Sequence, residues 1–454
     1  MGAAAGEDDG NGVLISHTGH ALVRRTAFRF AADLNQSQTQ MFFSCAGARR
    51  FAFNHHIARV KGNLDIRRAE HEAGAGKEQM TRSLSWSKVS FINEFNAWKN
   101  GQLDTSPSND DGTRGLAWRD QVPADVFECA SVDAAQALAN FSNSVSGVRK
   151  GKRAGFARFK SNHHSTPAFR LRSKSKPGAA APIRVTGPHT IRLQKLGEVR
   201  ILGSTKRLRR MIGAGRFHVH SASMRFEQGR WWISIEGAAA VFHHERRSPA
   251  GRHPKPAGVD RGVKDLAVFA DTDGDVLHVV KAVKSLQSAQ IKLKRANQAL
   301  SRTKKGSNGR RKARARLTKL HARIGNIRAD ASHKASHWAA TSLTRLTVED
   351  LNVEGMKQLR TLAKTVSDAG MGEFGQQLAY KAGWYGLELL EADRWFPSSK
   401  TCSRCGHVKA SLELSERTYR CDHCGHVADR DVNAAINLAR WPHKHIYAPL
   451  PAAA

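Results

Sequence analysis

Thr26, Phe28 and Phe30 alternate with Ala27 and Arg29, the period-2 pattern of a half-buried strand, and Asn35 or Ser37 is placed to cap a following helix. Phe42, Cys45, Ala46, Arg49 and Phe53 then recur at helical spacing and predict a core-facing stripe. A segment with Trp86, Phe91, Phe95 and Trp98 predicts a second helix between two loop-like stretches, AGAGKEQ and SPSNDDGTRG, and Asp125–Val145 predicts a third. Residues 183–241 break into short alternating segments separated by Gly turns, which predicts an all-β insert, a small sheet or barrel. Residues 1–19 show no period and read as a loose leader.

Lys255-Pro256 opens a different pattern. Ala257–Asp260, Leu266–Ala270 and Val276–Val280, with a turn at Asp273-Gly274, predict a hairpin sheet carrying Asp260 on its first strand. Leu286, Ile291, Leu293, Ala296 and Leu300, then Leu317, Leu320, Ile324 and Ile327, fall at helical spacing on either side of Lys305–Gly309 and predict a helical hairpin. Leu343–Val348 reads as a short strand closed by Glu349, and a helix begins near Asp431. Asp271, Asp273 and Asp275 imitate a calcium loop, but Gly274 is misplaced and the twelfth position is Ala282, so the stretch reads as a turn.

Charge changes this picture. Lys and Arg number 73 against 39 Asp and Glu in 454 residues, a net +34 that points to a polyanionic partner. Two acid-free stretches concentrate it. The first, between Asp133 and Glu198, carries Arg149, Lys150, Lys152, Arg153, Arg158, Lys160, Arg170 and Arg172, interleaved with Phe156, Phe159 and Phe169 as stacking surface. The second, between Asp275 and Asp330, covers the helical hairpin and includes Arg310, Arg311, Lys312 and Arg314 as candidate phosphate contacts. No run approaches the roughly 20 apolar residues of a spanning helix and the start is acidic, so neither a membrane partner nor export is expected. A reducing cytosol is the expected compartment.

Cysteine spacing supplies the sharpest chemistry. Cys402-x2-Cys405 and Cys421-x2-Cys424 sit in copied frames, each followed by Gly-His-Val, and predict two knuckles around one structural Zn2+ with four thiolates. Against so basic a background, Asp260, Glu349 and Asp431 stand out as acids at the ends of apolar segments. Brought together, such carboxylates suit two divalent ions that activate water and stabilise a leaving oxygen.

At these residues the chain resembles TnpB, the transposon-encoded RNA-guided nuclease, and the miniature type V CRISPR effectors descended from it. The resemblance rests on Gly258-Val-Asp260-Arg-Gly-Val-Lys264, Val348-Glu349-Asp350-Leu-Asn-Val353, Ser398-Ser399-Lys-Thr-Cys402-Ser-Arg-Cys405-Gly and Asp429-Arg-Asp431-Val-Asn433-Ala-Ala-Ile-Asn437. Gly47–Asn54 and Gly155–Lys160 add weaker matches. It implies an α+β multidomain protein: an N-terminal β-barrel or wedge with a helical insert at about 36–180 in a recognition lobe over 20–250, then an RNase H-like (RuvC) α/β nuclease domain. RuvC motifs I and II and the basic hairpin would lie in 251–396, a zinc ribbon in 397–428, and motif III with the tail in 429–454. It further implies Asp260, Glu349 and Asp431 as a catalytic triad holding Mg2+, with Mn2+ as a substitute; Asp429 is the alternative to Asp431, the family's ligand being the Asp two before Asn. Guide RNA and double-stranded target DNA are the implied partners, in a bacterial cytoplasm near the nucleoid; self-association is compatible with the sequence but has no residue pattern behind it. Two other readings stay open: a nuclease-weak, guide-directed repressor, and a transposase using His218-Val219-His220 with Tyr380 or Tyr385.

Overall fold

A computed structural model describes residues 7–8, 14–15, 21–22, 24–149, 151–162, 164–174, 180–240, 251–262, 265–281, 284–358, 371–413 and 416–441. The chain divides into two compact units, Met1–Ala240 and Val241–Ala454. No helix among the described residues is long and apolar enough to cross a membrane.

In the first unit, β1 (Glu7–Asp8), β2 (Leu14–Ile15) and β3 (Ala21–Leu22) pair antiparallel, so the stretch expected to be a loose leader carries short strands. β4 (Arg24–Asp33) leads into α1 (Gln36–Glu72), whose start is fixed by a capping box between Asn35 and Gln38. The predicted stripe of α1 is core: Phe42, Cys45, Ala46 and Phe53 are buried. α2 (Lys88–Lys99) and α3 (Ala124–Val145) pack beside it. β5 (Ala168–Arg172), β6 (Ile183–Gly187), β7 (Thr190–Leu193), β8 (Gly197–Leu202), α4 (Lys206–Gly213), β9 (Phe217–Glu227) and β10 (Arg230–Ala239) complete the unit. The sheet runs β5-β9-β10-β4-β8-β7-β6, and its end strands β5 and β6 do not pair, so the expected barrel is not closed. The insert is also not all-β. α4 interrupts it, and β4 and β5 join its sheet from outside 183–241.

In the second unit, β11 (Ala257–Asp260), β12 (Asp265–Asp271) and β13 (Val276–Lys281) form the predicted antiparallel meander. α5 (Lys284–Ser301) and α6 (Asn308–Ser342) form the hairpin. β14 (Arg345–Glu349), α7 (Val353–Gln358), α8 (Met371–Tyr385) and β15 (Glu388–Ala392) follow. β16 (Thr418–Arg420) and β17 (Val427–Asp429) pair within the cysteine-bearing segment, and α9 (Arg430–Ala439) closes the described chain. The sheet order is β13-β12-β11-β14-β15, with β11, β14 and β15 parallel.

Strand alternation sorts this sheet into two faces. Val259, Phe269, Leu346 and Val348 join Ala335 and Ala339 of α6 and Phe374 and Leu378 of α8 in one core. Val268 and Ala270 point the other way, onto Ala435 and Ile436 of α9. Gly258 belongs to that second face: a Cβ there would lie 2.1 Å from Ala435 O and 2.4 Å from Ala439 N, so glycine is what admits α9 so close to the strand.

Candidate metal centres

The alternation that buries Val259 and Val348 on the α6/α8 side turns Asp260 and Glu349 to the α9 side. The parallel register pairs Val259 with Val348, which brings the two acids to the ends of neighbouring strands. Asp431 lies in the first turn of α9 and is itself buried. A Cβ on Gly262 would come 3.7 Å from Asp431 Oδ2, so the turn after β11 reaches the same place. The three predicted acids therefore converge. Burial holds the Asp260 carboxyl well above the usual carboxylate range, and the charges of Glu349 and Asp431 push it the same way. Asp429 caps α9 instead. Its Oδ1 accepts from the backbone N–H of Asp431 at 2.9 Å and of Val432 at 3.3 Å.

Two partners of this cluster lie inside the quoted motifs but had no role assigned to them from the sequence. Arg261 donates through Nη2 to the backbone oxygen of Glu349, and Gly375 of α8 leaves room for its guanidinium. Ser398, 3% exposed, donates its hydroxyl to Glu349 Oε1. Asp271 settles the neighbouring turn. Its Oδ1 accepts from the backbone N–H of Asp273, Gly274 and Asp275 at 2.9–3.0 Å, so it organises a hairpin and leaves no calcium loop.

The four cysteines lie with all sulfurs within 4.8 Å of one another and form a group that could hold a metal ion. Cys402 Sγ is 3.7 Å from Cys424 Sγ and Cys405 Sγ is 3.6 Å from Cys421 Sγ. Thiolates about 2.3 Å from a tetrahedral zinc stand about 3.8 Å apart, so the set fits the ion. The knuckles are copies: Cys402 N–H donates to His407 O and Cys421 N–H to His426 O, both at 2.8 Å, with Gly406 and Gly425 in the left-handed region. The backbone N–H of Cys424 lowers the Cys421 thiol, while the Cys405 thiol, beside the other three, is raised, so the four sulfurs hold their protons as one set. His407 and His426 thus contribute carbonyls to the knuckles.

The basic candidates sort by what they touch. Arg149, Lys152, Arg153 and Arg158 are exposed, with no acidic partner among the ion pairs of the described residues; Lys150 lies outside the described residues. Lys160 is half-buried, its Nζ 3.4 Å from the centre of the Phe53 ring, and burial lowers it to about 8. Asn54 pins the Lys160 backbone from both sides, at 2.8 and 2.9 Å, so this ribbon is docked on α1. Of the three aromatics, Phe159 is exposed, Phe156 packs on Phe141, and Phe169 is buried against Phe42, which removes it as stacking surface. Arg170 pairs with Asp133, and Arg172 with Asp125 and Glu128. On the hairpin, Arg311 and Lys312 are exposed and Arg314 lies at the surface, whereas Arg310 donates to Leu300 O and Thr303 O and closes the turn. His218 and His220 are neighbours on one face of β9, rings 5.1 Å apart; Tyr380 packs on Trp384 and Tyr385 on His337 in the other unit.

Residues 372–438 match the family described as "Cas12f1-like, TNB domain" and residues 240–360 the one described as "Probable transposase". A Mycobacterium tuberculosis H37Rv protein named "Putative RNA-guided DNA endonuclease" is 30% identical over 421 residues, 91% of this chain and 86% of its own length. The InsQ protein of Escherichia coli K12, with the same descriptive name, is 29% identical over 93% of both chains. A solved complex described as "Cryo-EM structure of the Cas12f1-sgRNA-target DNA complex" superposes at a TM-score of 0.47 with 15% identity, over 89% of this chain and 83% of that one. With a 30% identical relative matched over 86% of its length, this chain belongs to the TnpB-like family of RNA-guided DNA endonucleases.

Proposed function

We propose that this chain binds a guide RNA, recognises a short motif flanking the target, and hydrolyses phosphodiester bonds of double-stranded DNA at a single RuvC-like site. The observation that carries the reading is the convergence of Asp260, Glu349 and Asp431 on the α9 face of the five-stranded sheet. Three acids crowded beside one another, Asp431 buried and Asp260 repelled by the other two, form a donor set suited to divalent cations. Two Mg2+ ions, or Mn2+ in their place, supply a metal-activated water and a stabilised leaving oxygen when bound. Asp260 and Glu349 present their carboxylates from adjacent rigid strands, and Asp431 presents a third from a capped helix. The order β13-β12-β11-β14-β15, with helices on both faces, supports an RNase H-like assignment for the unit.

The cysteine segment is a structural zinc ribbon in this reading, since four thiolates leave no open position on the ion. Base pairing with the guide selects the sequence, while Arg149, Lys152, Arg153, Arg158, Arg311, Lys312 and Arg314 supply phosphate contacts. The relatives' names support the same reaction, and it would take place beside the bacterial nucleoid. The test is to purify the protein from cells expressing its flanking locus, sequence the co-purified RNA, and challenge the complex with a target library and Mg2+. Guide-dependent cutting that disappears in Asp260→Ala is the expected result. A discrete RNA with binding but no cutting would instead leave a guide-directed repressor.

A further inference from the structure

The zinc ribbon's entry loop is joined to the candidate nuclease centre by a continuous hydrogen-bonded chain. Ser398 Oγ donates to Glu349 Oε1. The backbone oxygen of Ser398 accepts from Asn437 Nδ2 at 2.8 Å, and that same amide donates to Thr401 O at 2.7 Å. Asn433 Nδ2 also donates to Thr401 O at 2.7 Å, while its Oδ1 accepts from the backbone N–H of Ser403 at 2.9 Å. Ser403 follows Cys402, so the last link touches the first knuckle. Ser398, Asn433 and Asn437 are 3%, 0% and 6% exposed, and water does not compete freely for these bonds.

We infer that Ser398 is a positioning residue for Glu349, and that Asn433 and Asn437 clamp it in place by tying the ribbon's entry loop to the helix that carries Asp431. A carboxylate at a strand end is free to rotate about its last torsions. The Ser398 hydroxyl engages one carboxylate oxygen and fixes that rotation, leaving the other oxygen to face the cluster. The two asparagines sit at i and i+4 on α9, one helical turn apart on the face turned to the ribbon, which is why both reach the same carbonyl. Helix α9 thus presents Asp431 from its first turn and sets Glu349 through Ser398 from later turns. This inference rests on the reading of the three acids as a divalent-metal centre.

The test is Mn2+ binding by the full zinc-loaded chain without nucleic acid, followed by electron paramagnetic resonance, in wild type, Ser398→Ala, Ser398→Thr and Asp260→Ala. Loss of a hydrogen-bond partner to a metal-ligating carboxylate weakens metal binding about 10-fold or more. Ser398→Ala is therefore expected to bind Mn2+ about 10-fold more weakly with zinc content unchanged and a cooperative urea transition retained, and Ser398→Thr to recover most of the affinity. Asp260→Ala is expected to lose the site. Wild-type Mn2+ affinity in Ser398→Ala alongside loss in Asp260→Ala would overturn the positioning role alone. Unchanged binding in Asp260→Ala would overturn the metal centre and the positioning role with it. Equal weakening in Ser398→Thr and Ser398→Ala would also count against the hydroxyl.

Discussion

Replacing Asp260 with Asn keeps its shape and removes one of three converging negative charges. At the ~5 Å spacing of neighbouring strands, two unit charges in an effective dielectric of about 20 repel by about 3 kcal/mol. Arg261 and Arg430 oppose part of that, since both favour the ionised Asp260. A net gain of about 2 kcal/mol follows for the metal-free fold, which for a unit the size of Val241–Ala454 raises Tm by about 4–8 °C. The pH dependence has a definite sign. Asp260's native pKa is raised, so the wild type loses stability as pH rises through the window between its unfolded and native values, and regains it as pH falls and the carboxyl is protonated in both states. The advantage of Asp260→Asn should thus be full at alkaline pH and vanish at the acid end. Scanning calorimetry of zinc-loaded protein at several pH values, with and without Mg2+, measures it, and Mg2+ should stabilise wild type more than the variant. A variant that melts at or below wild type at pH 8, or whose advantage grows on acidification, would refute the crowding of charge at this site.

Asp429→Ala should cost about 1 kcal/mol through loss of the α9 cap while cutting persists, whereas Asp431→Ala should abolish cutting; chemical denaturation beside a cleavage assay separates them. Arg310→Ala should destabilise the hairpin turn and leave the salt dependence of nucleic-acid binding largely unchanged, while Arg311→Ala should lower its slope by about 1 with little effect on stability. Elemental analysis should find one zinc per chain, and Cys421→Ser should lose it and expose the ribbon to proteolysis.

Residues whose role follows from local pattern are legible in the sequence alone. Period-2 alternation places Asp260 and Glu349 at strand ends, and the copied cysteine frames announce one tetrahedral site. What periodicity does not encode is which strand pairs with which. β6, at one edge of the sheet, falls in the predicted alternating region, but the opposite edge is β5, from the basic run outside it; the two do not pair and the sheet stays open. Phe169 sits in a basic stretch that resembles a binding loop, but its strand pairs with β9 and turns the ring inward against Phe42. α4 is only eight residues long between alternating segments, too short for its period to stand out. Arg310 differs from its neighbours only through the turn it closes, and that turn depends on carbonyls seven and ten residues away. Ser398 and Arg261 stand inside the recognised motifs, but their roles are hidden for the same reason: each acts through a partner distant in the chain, Glu349.

Guided cutting is most directly tested by reprogramming. The purified chain is assembled with either of two guide RNAs that differ only in their targeting segment, and each complex is given one DNA carrying both matching sites beside the same flanking motif, with Mg2+. The account predicts that each guide directs cutting to its own site and that Asp260→Ala cuts at neither. Cutting at the same position whichever guide is bound would contradict it.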